Sequence, residues 1–365
     1  MREYTIKGQL YVDIYTIGYE PKGEGIVLKI KDGNKIVFCC VIDCYEIENQ
    51  NETLKLIQDE SIDLICLTHP HEDHCKGIEK ILEKANSSTT LLYPNYMLDE
   101  KYRNKKDANN AIEKISKILI KRRDNNSKPR TMACVGRQCI MDDIKFFDIE
   151  NGGKYGMYVN TYTPLSVVLD KRKAKEFLGE NTIGDIQDNN LSIMMSITIG
   201  RLKLLFCGDT EDETITELND VVNKEEGHFF NGVIDYVKIP HHGSDGTLEM
   251  FNLLSNVNTV SNSVSTVYRI SKIPKIKVLE EYRKKRSKVY CTGHIDKDEN
   301  ISNYGIVKQR FDIINETVKS ELIKNAVEIW KVIIYVEVNF IAYQQKSNNR
   351  INHSYYMGMF NIYNV

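Results

Sequence analysis

From Gln9 to Cys44 the apolar positions fall into three short β-rich runs, Leu10 to Ile17, Gly25 to Ile30 and Lys35 to Ile42. Pro21 to Gly25 and the turn Asp32-Gly33-Asn34 separate them, which predicts a meander of antiparallel strands. Glu52 to Gln58 reads as a helix. Ile62 to Thr68 is an apolar run broken only by Asp63, short enough for a buried strand and bounded by Pro70. Within Gly77 to Ala85, residues Ile78, Ile81 and Leu82 form a stripe at helical spacing.

The second half returns to strands. Leu165 to Leu169 reads as one, while Ser192 to Ile199, a turn at Gly200-Arg201 and Leu202 to Cys207 read as a hairpin. Glu211 to Val222 is helical, with Thr210 as its cap and acidic residues in the first turn, where the helix dipole favours them. Ile234 to Ile239, Asn258 to Val264 and Lys288 to Cys291 are further strands, the last two flanking a helix over Lys275 to Lys285. Beyond Asn300 the pattern predicts a helix over Glu316 to Ala326, a β-rich segment over Glu328 to Tyr343 and a tail rich in Asn and Tyr. No internal repeat is evident.

With 365 residues the chain is long enough for about two domains, or one large domain with an appendage. Lys and Arg total 49 against 51 Asp and Glu, with 41% hydrophobic and 27% charged residues, which excludes a disordered chain, a collagen-like repeat and a uniformly basic nucleic-acid binder. The best apolar stretch, Val327 to Tyr343, is interrupted by Glu328, Lys331, Glu337 and Asn339, too polar for a membrane span. Met1 to Leu10 lacks a basic region followed by an apolar run, so the expectation is a soluble, cytoplasmic protein. Nine cysteines at irregular spacing do not suggest a disulfide framework; Cys39, Cys66 and Cys207 sit in apolar runs as buried thiols, and Cys134 with Cys139 has no second pair nearby to make a zinc site.

Charge is uneven. Lys101 to Arg130 holds eleven basic residues against three acidic ones, a net of +8, around a helix over Ala111 to Ile120 whose apolar face is Ile112, Ile115, Ile118 and Leu119. Such a run is either a solvated helix face or a surface for a polyanion, with Lys121, Arg122 and Arg123 as its contacts. Arg283-Lys284-Lys285-Arg286 is a second basic cluster.

The segment Thr68-His69-Pro70-His71-Glu72-Asp73-His74-Cys75-Lys76-Gly77 decides the chemistry. Three histidines and an aspartate lie within six residues directly after a buried strand, where a tight loop can splay them around a small volume. Imidazole nitrogen with carboxylate oxygen is the ligand set of zinc, manganese or iron. Two other strands end in the same manner. Leu204 to Phe206 runs through Cys207-Gly208 to Asp209, and Tyr236 to Ile239 runs through Pro240 to His241-His242-Gly243-Ser244.

In this order, His69-x-His71-x-Asp73-His74, Gly208-Asp209 and His241-His242-Gly243-Ser244 resemble the metallo-β-lactamase fold superfamily of hydrolases, and within it the hydrolase domain of ComEC-type DNA-uptake proteins and their stand-alone relatives. Asp43 after the third strand and Asn189-Asn190-Leu191-Ser192 at the hairpin add to the likeness, which covers residues 8 to 295. The resemblance implies an α/β fold, a four-layer αββα sandwich over residues 1–300, here with a basic helical insertion at about 96–160 and a C-terminal extension at 301–365. It implies one or two divalent ions, zinc or manganese. His69 and His71 would hold the first, Asp73 and His74 the second, Asp209 would bridge, and either His241 or His242 would complete the second site. The chain departs from the family at the third histidine of the first site: Tyr162-Thr163-Pro164-Leu165, the corresponding stretch, has none, and no histidine lies between His74 and Asp209.

Such a site implies hydrolysis by a metal-bound hydroxide, since a divalent ion brings the pKa of water from about 15.7 to near 7. Asp73 and Asp209 are the catalytic carboxylates in this reading, Asp73 taking a proton from the water. Asn190 and Ser244 would bind substrate, and Asp43 would orient a histidine ligand from behind. The expected function is a metallo-hydrolase, a phosphodiesterase or nuclease acting on DNA or RNA through the basic segment 101–130. The alternatives are a small-molecule ester, lactone or nucleotide hydrolase, and a partner-binding subunit with a degenerate metal site that engages a protein through residues 301–365.

Overall fold

The computed structural model describes residues 2–48, 50–98, 106–124, 127–178, 189–222, 229–295, 301–302 and 305–329. The chain opens with β1 (Arg2–Ile6), β2 (Leu10–Gly18), β3 (Glu24–Asp32) and β4 (Lys35–Ile42), followed by α1 (Glu52–Leu56) and β5 (Leu64–Cys66). Then come α2 (Glu72–Cys75), α3 (Ile78–Lys84), β6 (Thr90–Pro94), α4 (Lys106–Asp124), β7 (Arg130–Cys134), β8 (Gln138–Asp148), β9 (Lys154–Thr161) and α5 (Ser166–Phe177). The remainder comprises β10 (Met195–Ile199), β11 (Leu202–Phe206), α6 (Asp212–Val222), β12 (Gly232–Lys238), α7 (Met250–Leu253), β13 (Val257–Ser265), α8 (Ile276–Lys284), β14 (Lys288–Cys291), the short ribbon β15 (His294–Ile295) with β16 (Ile301–Ser302), and β17 (Gly305–Asp312), β18 (Thr317–Lys324) and β19 (Val327–Glu328).

Two mixed sheets organise these elements. The first has the order β18-β17-β2-β3-β4-β5-β6-β7, the second β1-β8-β9-β10-β11-β12-β13-β14-β19. The first is antiparallel from β18 to β4 and parallel from β4 to β7. The second is antiparallel from β8 to β11 and parallel from β11 to β14. One apolar core draws on both: Val12, Ile14, Leu28, Phe38 and Cys40 from the first meet Ile144, Phe146, Val159, Ile197 and Phe206 from the second. Burial of this apolar surface is the main force holding the sheets together. Two polar pairs cross the same interior, Thr16 Oγ1 with Tyr236 Oη at 2.7 Å and Gln309 Nε2 donating to Asn262 Oδ1 at 3.1 Å.

The predicted meander over Leu10 to Ile42 is β2, β3 and β4, and the predicted hairpin is β10 and β11. Ile78, Ile81 and Leu82 are fully buried along α3, and Ile112 and Ile115 are the buried face of α4. Cys39, Cys66 and Cys207 are buried thiols.

Three expectations are corrected. Leu165 to Leu169 is not a strand: the chain enters α5 at Ser166, and Leu165, Val168 and Leu169 are buried at helical spacing while Val167 is exposed. Glu316 to Ala326 is not a helix. Its core is β18, paired along its whole length with β17, which in turn lies beside β2 in the first sheet. These strands belong to the compact body, which runs over Met1–Glu328. Thr210 is not the cap of α6: its hydroxyl donates to the Cys207 carbonyl, and Asn190 Oδ1 accepts from the Thr214 N–H instead. The predicted β-rich segment reaches only Val327–Glu328 among the described residues; 330–343 and the Asn- and Tyr-rich tail lie outside them.

Among the described residues, no helix is long and apolar enough to cross a membrane.

Candidate metal centre

Parallel strands deliver their C-terminal loops to one edge, and this topology gathers the polar residues that the sequence scatters. From the first sheet, β4 ends at Asp43 and β5 at Thr68 to His74; from the second, β11 ends at Asp209, β12 at His241 and His242, and β13 at Thr266. Glu24 opens β3, whose antiparallel direction brings its first residue to the same edge. Backbone hydrogen bonds tie the loops together: Asp43 N–H to Cys66 O at 2.9 Å, Ile193 N–H to Thr68 O at 3.0 Å and His241 N–H to Gly208 O at 3.0 Å. Gly208 has φ of +52°, and a Cβ there would meet Ile193 O and Thr68 Cβ at 3.1 Å, so the approach requires glycine. His241 and His242 both carry positive φ, 41° and 51°, a strained pair for non-glycine residues.

Asp209 stands at the centre. Its Oδ2 lies 3.2 Å from His74 Nε2, 3.6 Å from His242 Nε2, 3.9 Å from His69 Nε2 and 4.0 Å from His241 Nε2. Asp73 Oδ2 is 3.7 Å from His74 Nε2 and 3.5 Å from His242 Nε2. His71 Nδ1 is 3.0 Å from His69 Nε2.

Groups behind the rings fix which nitrogen faces inward. Thr68 Oγ1 donates to Asp43 Oδ2 at 2.6 Å, so it accepts from His69 Nδ1 at 3.0 Å. Asp43 Oδ2 also accepts from His74 Nδ1 at 2.8 Å. Thr266 Oγ1 donates to Glu24 Oε2 and accepts from His242 Nδ1 at 2.7 Å. In each ring Nδ1 is held from behind, which turns Nε2 toward Asp209.

The cluster is buried: His69, His74, His242, Asp43, Glu24 and Asp209 are each at most 2% exposed. Burial and the neighbouring imidazoles hold His69 well below its ordinary pKa, and burial lowers His71, which keeps both neutral at pH 7. Burial opposes the charge of His74, but Asp209, Asp43, Glu24 and Asp73 outweigh it and raise His74 well above its ordinary value. Burial raises Asp73 and Asp209, yet the imidazoles of His74 and His242 bring both down. For His241, too, burial is outweighed, by the Glu211 hydrogen bond and the charge of Asp209, and its pKa rises. The pocket thus concentrates negative charge and draws positive charge into itself.

A buried cluster of Glu24, His74, Asp209 and His242 could hold a metal ion, its potential ligand atoms lying within 4.8 Å of one another. His74 Nε2, His242 Nε2 and Asp209 Oδ1 are buried without a hydrogen-bond partner, as donor atoms awaiting a cation would be. Glu24 differs from the other three. Its carboxylate is already matched by the buried Lys238 Nζ at 2.7 Å, and it faces the Nδ1 atoms of His74 and His242 at 3.8 and 3.4 Å, on the side of the rings away from Asp209.

Of the residues singled out in the sequence, His69, His71, Asp73, His74, Asp209, His241 and His242 converge, and Asp43 stands directly behind His74. His242 is the member of its pair that faces Asp73 and Asp209, while His241 Nδ1 is engaged by Glu211 Oε1 at 2.7 Å and Ser244 Oγ at 3.0 Å. Asn190 Oδ1 caps α6, and its carbonyl accepts from Thr214 Oγ1 at 2.6 Å. The neighbouring Asn189 takes the site-facing position, its Nδ2 3.2 Å from His241 Nε2.

Lys121, Arg122 and Arg123 lie on α4, which packs against α3. The Arg122 guanidinium donates to the carbonyls of Glu83 and Ala85 at the end of α3, a helix-capping role. Lys114 pairs with Glu79 and Lys117 with Glu113. Lys101, Arg103 and Lys105 lie outside the described residues.

Glu24, Lys238, Thr266 and Glu211 carry no mark of the site in the sequence, and Asn189 stands out there only as part of Asn189-Asn190-Leu191-Ser192. Glu211 adjoins a recognised motif; Glu24 and Lys238 sit within strands and carry no local signal.

The chain matches no known family model, and no curated protein is similar to it.

Proposed function

We propose that the protein is a metal-dependent phosphodiester hydrolase of the metallo-β-lactamase fold, an αββα sandwich with DNA or RNA as substrate. The observation that carries this reading is the array of four imidazole Nε2 atoms within 4.0 Å of one buried carboxylate oxygen, Asp209 Oδ2. A structural salt-bridge network has no need of four imidazoles around one buried carboxylate. In this reading Asp73, His74, His242 and Asp209 hold one ion, and His69, His71 and Asp209 the other. His69 Nε2 and His71 Nδ1 are separated by 3.0 Å, close enough that both would serve one cation.

A divalent ion supplies Lewis acidity, acidifying water near neutral pH and neutralising charge on the attacked phosphoryl oxygen. The chain's own groups orient and protonate. Asp73, on the edge of the cluster, is placed to take a proton from the nucleophilic water. Asp43, Thr68 and Thr266 hold the rings in place from behind, and Ser244 and Asn189 flank His241.

The decisive experiment is elemental analysis of the purified protein combined with a divalent-metal screen against DNA, RNA and bis(p-nitrophenyl) phosphate. The expected result is one to two equivalents of Zn, Mn or Fe, and cleavage that requires added metal and fades steeply with salt. Metal-free protein with an intact fold would leave the partner-binding reading in its place. A second reading, hydrolysis of a small ester, lactone or nucleotide phosphodiester, is favoured by the pairing of Lys114 and Lys117 with carboxylates and by the capping role of Arg122. Salt-insensitive turnover of a small substrate without polynucleotide cleavage would establish it.

A further inference from the structure

The first cation pocket is short of a ligand in the sequence, and the stretch that would supply it is fully committed elsewhere. Thr163 Oγ1 donates to Ser192 O at 2.5 Å and accepts from Met194 N–H at 2.6 Å. Tyr162 Oη meets Ser196 Oγ at 3.0 Å, and Leu165 has no donor atom. No side chain from residues 162–165 turns to the cluster.

We propose, building on the hydrolase reading above, that His241 is the third imidazole of the first pocket, so that the two adjacent histidines serve different ions. His242 Nε2 faces Asp73 and Asp209, whereas His241 Nε2 reaches the same Asp209 oxygen at 4.0 Å, matching the 3.9 Å of His69. The ring is prepared for this. Glu211 Oε1 accepts the Nδ1 proton at 2.7 Å, the carboxylate–histidine arrangement that turns Nε2 into a donor toward a metal. The Asn189 side-chain amide lies 3.2 Å from Nε2, on the face of the ring that Glu211 does not hold. The left-handed backbone at both positions has the same explanation. Consecutive residues of an extended chain send their side chains to opposite faces, and the φ values of 41° and 51° instead bring both rings against one carboxylate.

The test uses the full chain loaded with Mn, Zn or Co, with metal stoichiometry and affinity as readouts. Wild type should bind two equivalents. His241→Ala should keep one equivalent and lose the other by tenfold or more in affinity, and Glu211→Gln should weaken the same equivalent by about tenfold through the unheld ring. His241→Cys loaded with Co should show a thiolate-to-cobalt charge-transfer absorption, a signal that appears only if position 241 coordinates and that does not depend on His241→Ala folding. Two equivalents bound to His241→Ala with affinity within twofold of wild type, or no thiolate band in His241→Cys, would overturn the assignment. Wild type holding a single equivalent would overturn it while leaving the hydrolase reading intact; wild type binding no divalent ion would sink both.

Discussion

Lys238 of β12 reaches across the interior to Glu24 of β3, Nζ to Oε2 at 2.7 Å, with both side chains at most 2% exposed. The pair joins the two sheets directly behind His74 and His242. A buried ion pair of this kind adds little net stability by itself, but removing one partner strands the other charge in a medium that cannot solvate it. Lys238→Met should therefore lower the unfolding free energy by about 3 to 5 kcal/mol, and Glu24→Gln combined with it should recover most of that loss. Denaturant midpoints of the four proteins of the cycle decide this; equal destabilisation in the double variant would mean that packing, not charge, dominates.

Asp13 supplies a pH signature far from the candidate centre. Burial raises its pKa, but the hydrogen bonds from Arg310 at 2.6 and 2.7 Å and the Lys31 ammonium at 2.7 Å outweigh that and hold the carboxyl below its ordinary value. A depressed folded-state pKa stabilises at pH above the unfolded value of about 3.9, and the contribution disappears as pH falls through the folded value below it. Asp13→Asn should cost about 2 kcal/mol at pH 7 and remove part of the acid limb of the stability curve. Parallel acid limbs in the two proteins would contradict the assignment.

Asn190 and Asn189 are neighbours with different work. Asn190→Ala removes the cap of α6 and should cost about 1 kcal/mol, with Asn190→Asp largely restoring it. Asn189→Ala should leave the melting temperature within a degree or so of wild type, because among the described residues its amide meets only the half-buried His241 and Glu211. The reversed pattern in thermal melts would mean that the cap lies elsewhere.

The basic helix divides in the same way. Arg122→Ala should lose about 1 kcal/mol of stability through the unsatisfied carbonyls at the end of α3. Lys121→Gln should leave stability and metal content unchanged, and combined with Arg123→Gln it should weaken polynucleotide binding, with a shallower salt dependence. Unchanged binding in a fluorescence titration would reduce the helix to a solvated face.

Strand alternation and the placement of His or Asp at strand ends made much of the first sheet and the converging motifs legible in the sequence, because those signals are local. What escaped was set by distant partners. Thr317 to Lys324 carries Val318 and Leu322 four apart, a helical spacing, yet β18 is an exposed edge whose conformation is dictated by its ladder with β17. Leu165 to Leu169 has the composition of a strand, and only its packing reveals the helix. Glu24 could not be recognised as a neighbour of the cluster from its surroundings; Thr266, to which it is hydrogen-bonded, lies 242 residues further on. The capping of α6 by Asn190 joins residues 24 positions apart and leaves no local mark.

The place of β17 beside β2 has a consequence for how the protein is made. Arg310 and Asp13 are 297 positions apart, yet they close the same rung of the first sheet. On a ribosome β2 emerges early and waits through most of translation with one side of its ladder bare, the condition in which nascent chains recruit chaperones or pair with the wrong neighbour. A stop codon near residue 300 would spare every histidine of the cluster and still release a chain prone to aggregate.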